Sequence, residues 1–325
     1  KEAKNFDTAN VSTPDHMHAP IAMSAMQLGK HVYVQKPLTH DVYESRRLRE
    51  YAAEKGLKTQ MGIQVHASRS YQLAVALVHG GAIGKVHAVK NWMWTNKVEK
   101  RSPGPGKIPP SLDYDSWLGP APEAPYTKDR VHFNFRWIWD YSGGIICDWG
   151  AHLFDTAQWA NDTERSGPVE IDGKGTHWEG GLYDTVKDYD VTYRYENGVV
   201  MTCTSGNPSL KFIGSKGWVG NVGWRAKLQA SSEKILHSVI EKGETRLFTN
   251  PAGEHRNFLD CVKSRKDPYF PVDIGHRVST VCHLANLSIK LGRPLKWNPV
   301  KERFLKDDEA NGLCSRKMRK PWSLA

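Results

Sequence analysis

The spacing of apolar and polar residues changes character partway along this chain, and the change divides it. Over the first sixty residues, short apolar runs alternate with helical patterns. Ala9-Asn10-Val11-Ser12 reads as the end of a strand. Thr13-Pro14-Asp15-His16 is then a turn, with Pro14 stopping any helix that would run backwards. Ile21, Ala22, Ala25 and Met26 predict a short amphipathic helix over 18–28, closed by Gly29. His31-Val32-Tyr33-Val34 is apolar enough for a buried strand and runs into Gln35-Lys36-Pro37. A helix over 41–55 ends at Gly56, and a further strand covers 58–63. Strand, helix, strand, helix, strand at this spacing predicts parallel α/β winding. Ligands of such sheets lie beyond the carboxyl ends of the strands. Thr13-Pro14-Asp15-His16 and Gln35-Lys36-Pro37 both fall there.

A helix over 68–78 closes at Gly80-Gly81, and a longer strand runs from Gly84 through Trp94. Residues 100–130 are rich in proline and glycine and read as a lid or a partner-binding arm. Beyond residue 169 the period falls to two. Strands are expected over 169–175, 190–195, 199–204 and 210–213, with Asn197-Gly198 a hairpin turn and the pattern continuing over 218–229. This half predicts a mostly antiparallel sheet with one face open. Helices over 254–264 and 274–291 follow, the second capped by Gly292, and the tail from Pro294 shows no period.

Between the halves lies one helical stretch, 142–159, opened by Gly143-Gly144. Asp148, His152, Asp155 and Trp159 recur at intervals of four, three and four, so they share a face. Ile146, Gly150, Leu153 and Ala157 fall on another face, available for packing. A carboxylate one turn from an imidazole suits general acid–base chemistry, because the helix fixes their separation. The same pair could equally tie the helix to a neighbour.

Composition narrows the classes. A chain of 325 residues is long enough for two cores, and no apolar run approaches a membrane span. Lys1-Glu2-Ala3-Lys4-Asn5 lacks the apolar core of a signal peptide. The net charge of +10 is spread along the chain. Its densest cluster, Arg316-Lys317-Met318-Arg319-Lys320, follows Asp307, Asp308 and Glu309 and reads as a solvated face, so nucleic acid is not an expected partner. The five cysteines are odd in number and form no CxxC pair, which points to buried thiols instead of a disulfide framework. Trp137, Trp139, Trp149 and Trp159 flank the helical stretch and suit a pocket that stacks on sugar rings, although most tryptophans are core.

Four segments together resemble the Gfo/Idh/MocA oxidoreductases, NAD(P)-dependent enzymes acting on sugars and cyclitols. They are Thr13-Pro14-Asp15-His16-Met17-His18, Gln35-Lys36-Pro37, Ala82-Ile83-Gly84-Lys85-Val86, and Gly143-Gly144 through Asp148, His152 and Asp155, in the family's order and spacing. The resemblance implies a Rossmann-like parallel sheet over 1–62, a substrate and oligomerisation domain over 63–300, and a tail over 301–325. It implies NAD or NADP held near Thr13, Pro14, His16, His18, Gln35, Lys36 and Pro37. His152 becomes the base, Lys36 contacts nicotinamide ribose and substrate, and Asp148 holds the substrate hydroxyl or orients His152. Arg136, Trp149 and Asp155 are the further substrate contacts expected. A small-molecule carbohydrate substrate and a homo-oligomer formed through the antiparallel sheet are implied, and no membrane.

Two departures stand out. Gln35 replaces the family's glutamate and supplies less negative charge to Lys36. No G-x-G-x-x-G occurs anywhere in the sequence. The resemblance therefore implies that the first strands and pyrophosphate loop lie before residue 1, leaving the nicotinamide side of the site and weak NAD binding. Competing expectations are a glycoside hydrolase or lyase that oxidises C3 transiently, and a non-catalytic scaffold. A metal enzyme could draw on His16, His18, His152, His177, Asp148 and Asp155, but no H-E-x-x-H or similar signature appears, so no metal site is expected.

Overall fold

The computed structural model describes residues 2–95, 104–221, 223, 226–238, 250 and 252–324. Its first half is a three-stranded parallel sheet in the order β1 (Thr8–Val11), β2 (His31–Gln35), β3 (Thr59–Gly62). Helix α1 (His18–Gln27) follows β1, and α2 (Val42–Lys55) follows β2. Asp41 starts α2 by accepting the Glu44 amide at 2.7 Å, satisfying a donor that the first turn leaves orphaned. Gly56 ends it in the left-handed region, φ +62°, where a Cβ is costly.

Helix α3 (Arg69–His79) leads to β4 (Val86–Met93), and α4 (Tyr114–Leu118) interrupts the proline-rich stretch. The described part of that stretch, 104–130, is exposed over 104–108 and then packs inward: Tyr114 and Leu118 are buried in the core beneath the large sheet, and Trp117 rests on His16 and Tyr141. The rest of it, 96–103, lies outside the described residues, as do 222, 224 and 225 of the expected strand pattern.

The helical stretch forms α5 (Gly144–Asp148) and α6 (Gly150–Ala160), broken only at Trp149. Then come β5 (Glu170–Thr176), β6 (Asp188–Arg194), β7 (Val200–Ser205), β8 (Ser209–Gly214), β9 (Gly217–Asn221) and β10 (Leu228–Ala230). Helices α7 (Glu233–Leu236), α8 (Glu254–Ser264) and α9 (Val272–Leu291) follow. The tail is ordered as well, into β11 (Leu295–Asn298), β12 (Arg303–Phe304) and α10 (Asp308–Gly312). The large sheet runs β10-β9-β8-β4-β7-β6-β5-β11-β12. Its pairings are antiparallel except β4 with β7, which are parallel. Alternation along β6 and β8 buries Tyr193, Leu210 and Phe212 against the helices and leaves Asp190 and Lys211 on the other face.

Two cores result. The larger lies between the big sheet and α3, α5, α6 and α9. The smaller, under the parallel sheet, joins Val32, Val34 and Met61 to Phe270, Val272, Ile274, Val278 and Leu324 from much later in the chain. Each such side chain contributes about 1.5–3 kcal/mol by leaving water. The Met61 amide donates to the Phe270 carbonyl and the Val272 amide to Thr59 Oγ1, so the smaller core is closed by the C-terminal part. Glu302, 4% exposed, adds an ionic tie: Arg46 and Arg49 of α2 and Arg277 and His276 of α9 all converge on its carboxylate. No helix among the described residues is long and apolar enough to cross a membrane.

Candidate active site

The parallel sheet aims its carboxyl ends at the break between α5 and α6. Lys36, just beyond β2, places Nζ 2.5 Å from Asp148 Oδ1 and 2.9 Å from the Asp148 carbonyl oxygen. The second contact explains the break. In an unbroken helix the Asp148 carbonyl would accept the His152 amide. Here the His152 amide donates to the Trp149 carbonyl at 3.0 Å, a tighter i−3 bond, and Lys36 takes the vacated acceptor.

Arg136 approaches the same carboxylate at 3.5 Å, its guanidinium lying over the rings of Phe133 and Phe135. Burial works to raise the Asp148 pKa, but the charges of Lys36 and Arg136 outweigh it and hold the group below its usual value. His152 is buried one turn on. Burial, reinforced by the Lys36 charge, lowers its pKa to about 3, so its ring is neutral at neutral pH. Trp149 sits at the break, edge-on to Trp94 with ring centroids 4.2 Å apart.

The strand ends are locked side by side. His18 reaches the Thr13 carbonyl at 2.9 Å and the Pro37 carbonyl at 2.8 Å. His16 donates from Nε2 to the Trp117 carbonyl at 2.9 Å, and burial lowers its pKa to about 3. Sequence reasoning puts both rings on the cofactor side; the structure puts them in the interior, where they shape the turn. Thr13 is exposed, and Pro14, Gln35 and Lys36 are partly so, at the strand ends.

Asp155 is likewise turned inward. It is 1% exposed and accepts from His66 Nδ1 at 2.8 Å, with His66 stacked on Trp159 at 4.0 Å. The stripe Asp148, His152, Asp155, Trp159 is therefore real, but its upper end meets Lys36 and its lower end meets His66. Asp15 is a buried carboxyl that sequence reasoning left out. Ser142 Oγ donates to it at 2.6 Å, and burial raises its pKa. Its place inside Thr13-Pro14-Asp15-His16 was the available signal.

The solvated face expected at 316–320 is only partly present: Lys317 and Lys320 are exposed, but the other three residues are engaged. Arg316 pairs with Glu44, Arg319 with Asp115, and Met318 packs on the smaller core. Among the described residues no three His, Cys, Asp or Glu side chains gather to hold a metal ion.

These residues fit the nicotinamide end of a dinucleotide. The locked strand ends, one of them carrying the Lys36 cation, stand opposite an ionised carboxylate and a neutral imidazole. A glycine-rich pyrophosphate loop is not among them.

Two family models match. One, an oxidoreductase-family NAD-binding Rossmann fold, covers residues 1–63, and the other, an oxidoreductase-family C-terminal alpha/beta domain, covers 80–324. The scyllo-inositol 2-dehydrogenase (NAD(+)) of Bacillus subtilis is 23% identical over 279 residues, 82% of this chain and 70% of that protein. The myo-inositol 2-dehydrogenase of Thermotoga maritima is 25% identical over 318 residues, 92% of this chain and 82% of that one. Among solved structures, the WlbA dehydrogenase of Bordetella pertussis, in complex with NADH and UDP-GlcNAcA, superimposes with a TM-score of 0.66. It is 14% identical, and the match covers 91% of this chain and 81% of that one, a likeness of fold.

Proposed function

The chain belongs to the Gfo/Idh/MocA family of NAD-binding oxidoreductases, and on that premise we propose that it acts on a hydroxyl-bearing carbon of a sugar-like or cyclitol alcohol. The observation that carries this reading is the convergence of Lys36, Asp148 and His152 from two domains on one point. Thr13, Pro14, Gln35, Lys36 and Pro37 would hold the nicotinamide, which would supply hydride exchange with the carbinol carbon, while His16 and His18 set the shape of the two loops. His152, neutral, takes the hydroxyl proton on its unprotonated ring nitrogen. Asp148, ionised, accepts a hydrogen bond from a substrate hydroxyl and so orients it. The Lys36 ammonium favours the negative charge that grows on oxygen as the proton leaves. Trp149 and Arg136 lie beside this point and are the proposed walls for the ring.

The inositol dehydrogenases among the relatives make cyclitols the first substrates to try. The purified chain is offered myo-inositol, scyllo-inositol and free aldoses with NAD or NADP, and reduced nicotinamide is followed. Turnover is expected with at least one alcohol. His152→Ala and Lys36→Met should each lower kcat by about 10²–10⁴ while the far-UV spectrum is kept. Full activity in either variant would overturn the assignment. Cleavage of an aryl glycoside without net reduced cofactor would instead favour transient oxidation.

A further inference from the structure

The Arg316 guanidinium stands where three loops of the site meet. Nε and Nη2 hold the same oxygen of Glu44, a fully buried carboxylate, at 2.9 and 2.6 Å. The remaining reach of the fork goes to main chain: Nη2 to the His16 carbonyl at 2.7 Å, and Nη1 to the Asp140 carbonyl at 3.5 Å. The Arg316 amide donates to Asp41 Oδ2 at 3.1 Å, while the other oxygen of Asp41 starts α2. Glu44 in turn accepts the His40 amide at 2.9 Å.

These contacts bear on three functional segments. His16 belongs to the turn after β1. His40, Asp41 and Glu44 follow directly on Lys36-Pro37. Asp140 begins the approach to Gly143-Gly144 and Asp148. Arg319 repeats the arrangement one step away. It holds the Gly119 carbonyl at 3.1 Å and Asp115 Oδ1 at 2.5 Å, and its amide donates to the Pro120 carbonyl at 2.9 Å. Trp117, inside that segment, is the acceptor for His16 Nε2.

We propose that residues 314–324 are a clasp on the loops of the active site, with Arg316 the positioning residue that sets the His16 turn and the Lys36 loop against the helix carrying Asp148 and His152. The hydrogen bonds of Arg316 run to Asp41, Glu44, His16 and Asp140, so it acts on Asp148 and His152 through the loops it holds. A planar fork can serve a carboxylate and two carbonyls at once, whereas a lysine ammonium cannot match that geometry. The consequence for turnover rests on the function proposed above; the clasp itself does not.

Glu44→Gln with Arg316→Met removes both buried charges together, which keeps the fold from being left with one unpaired. Thermal midpoint, amide exchange, kcat and KM are measured beside Arg316→Lys, with myo-inositol and NAD as probes. The double variant should melt close to wild type. Exchange at His16–Met17 and at Ser142–Gly143 should quicken about ten- to a hundredfold, the loss of a charge-assisted hydrogen bond, while α9 amides stay unchanged. Its kcat should fall by a similar factor with KM little altered, and Arg316→Lys should recover part of it. Wild-type exchange at both segments, or faster exchange spread evenly along the chain, would overturn the clasp. Loosened loops with wild-type kcat would overturn the positioning role. A wild-type protein without nicotinamide-dependent turnover would instead sink the proposed function, leaving the exchange result to decide the clasp.

Discussion

His152 is neutral at neutral pH because folding removes it from water and sets it near the Lys36 cation; the nearby Asp148 carboxylate works the other way without prevailing. An unfolded histidine binds its proton near pH 6.5, and this one does so near 3. Between those values the unfolded chain binds more protons here than the folded one. Stability from this site is therefore full above about pH 6.5 and is lost as the pH falls, by up to about 1.4 kcal/mol per pH unit. Urea midpoints of wild type and His152→Gln should separate progressively below pH 6.5, the wild type losing more. Curves that stay parallel down to pH 4 would show that the ring titrates normally.

At the scale of elements, the helix stripe was legible because its period is a property of the local sequence. Asp148, His152, Asp155 and Trp159 do share a face. What they face was not legible, since Lys36 and His66 come from loops over eighty residues away. The break at Trp149 has only the neighbouring Gly150 as a sequence signal, because the contact that holds it open comes from the Lys36 ammonium. The tail escaped for a related reason. Arg316 and Arg319 look like any basic surface cluster until Glu44 and Asp115 are in place. Gly143-Gly144 opens the helical stretch, and its second glycine is required by the backbone. Gly144 has φ +66°, and a Cβ there would lie 2.7 Å from Thr185 Cβ. Gly144→Ala should destabilise by about 1–2 kcal/mol from the backbone alone, with the clash added, read as a lowered thermal midpoint. An unchanged midpoint would mean that α5 starts differently.

For the whole molecule, the decisive ties run between α2, near the start of the chain, and α9 and the segment after it. Glu302 answers three arginines and a histidine from α2 and α9, and their positive charge holds its pKa well below the usual range despite burial. Removing a buried counter-charge costs more than the pair contributes, because the remaining charges stay desolvated. Glu302→Ala should destabilise by about 3–5 kcal/mol, measured by denaturant unfolding, whereas removing the exposed Arg256–Asp260 pair should cost less than about 1 kcal/mol. Equal losses from the two would contradict the geometry.

Lys36 occupies a helix's own acceptor, and that makes positions 36 and 152 poor independent variables. A side chain at 36 that cannot donate is expected to return the Asp148 carbonyl to the His152 amide, winding the break closed and turning the imidazole with it. The two positions are thus epistatic through main chain, without their side chains needing to touch. Substitutions tolerated at one depend on the residue at the other, and a lineage that exchanged its lysine would have to resettle its histidine as well.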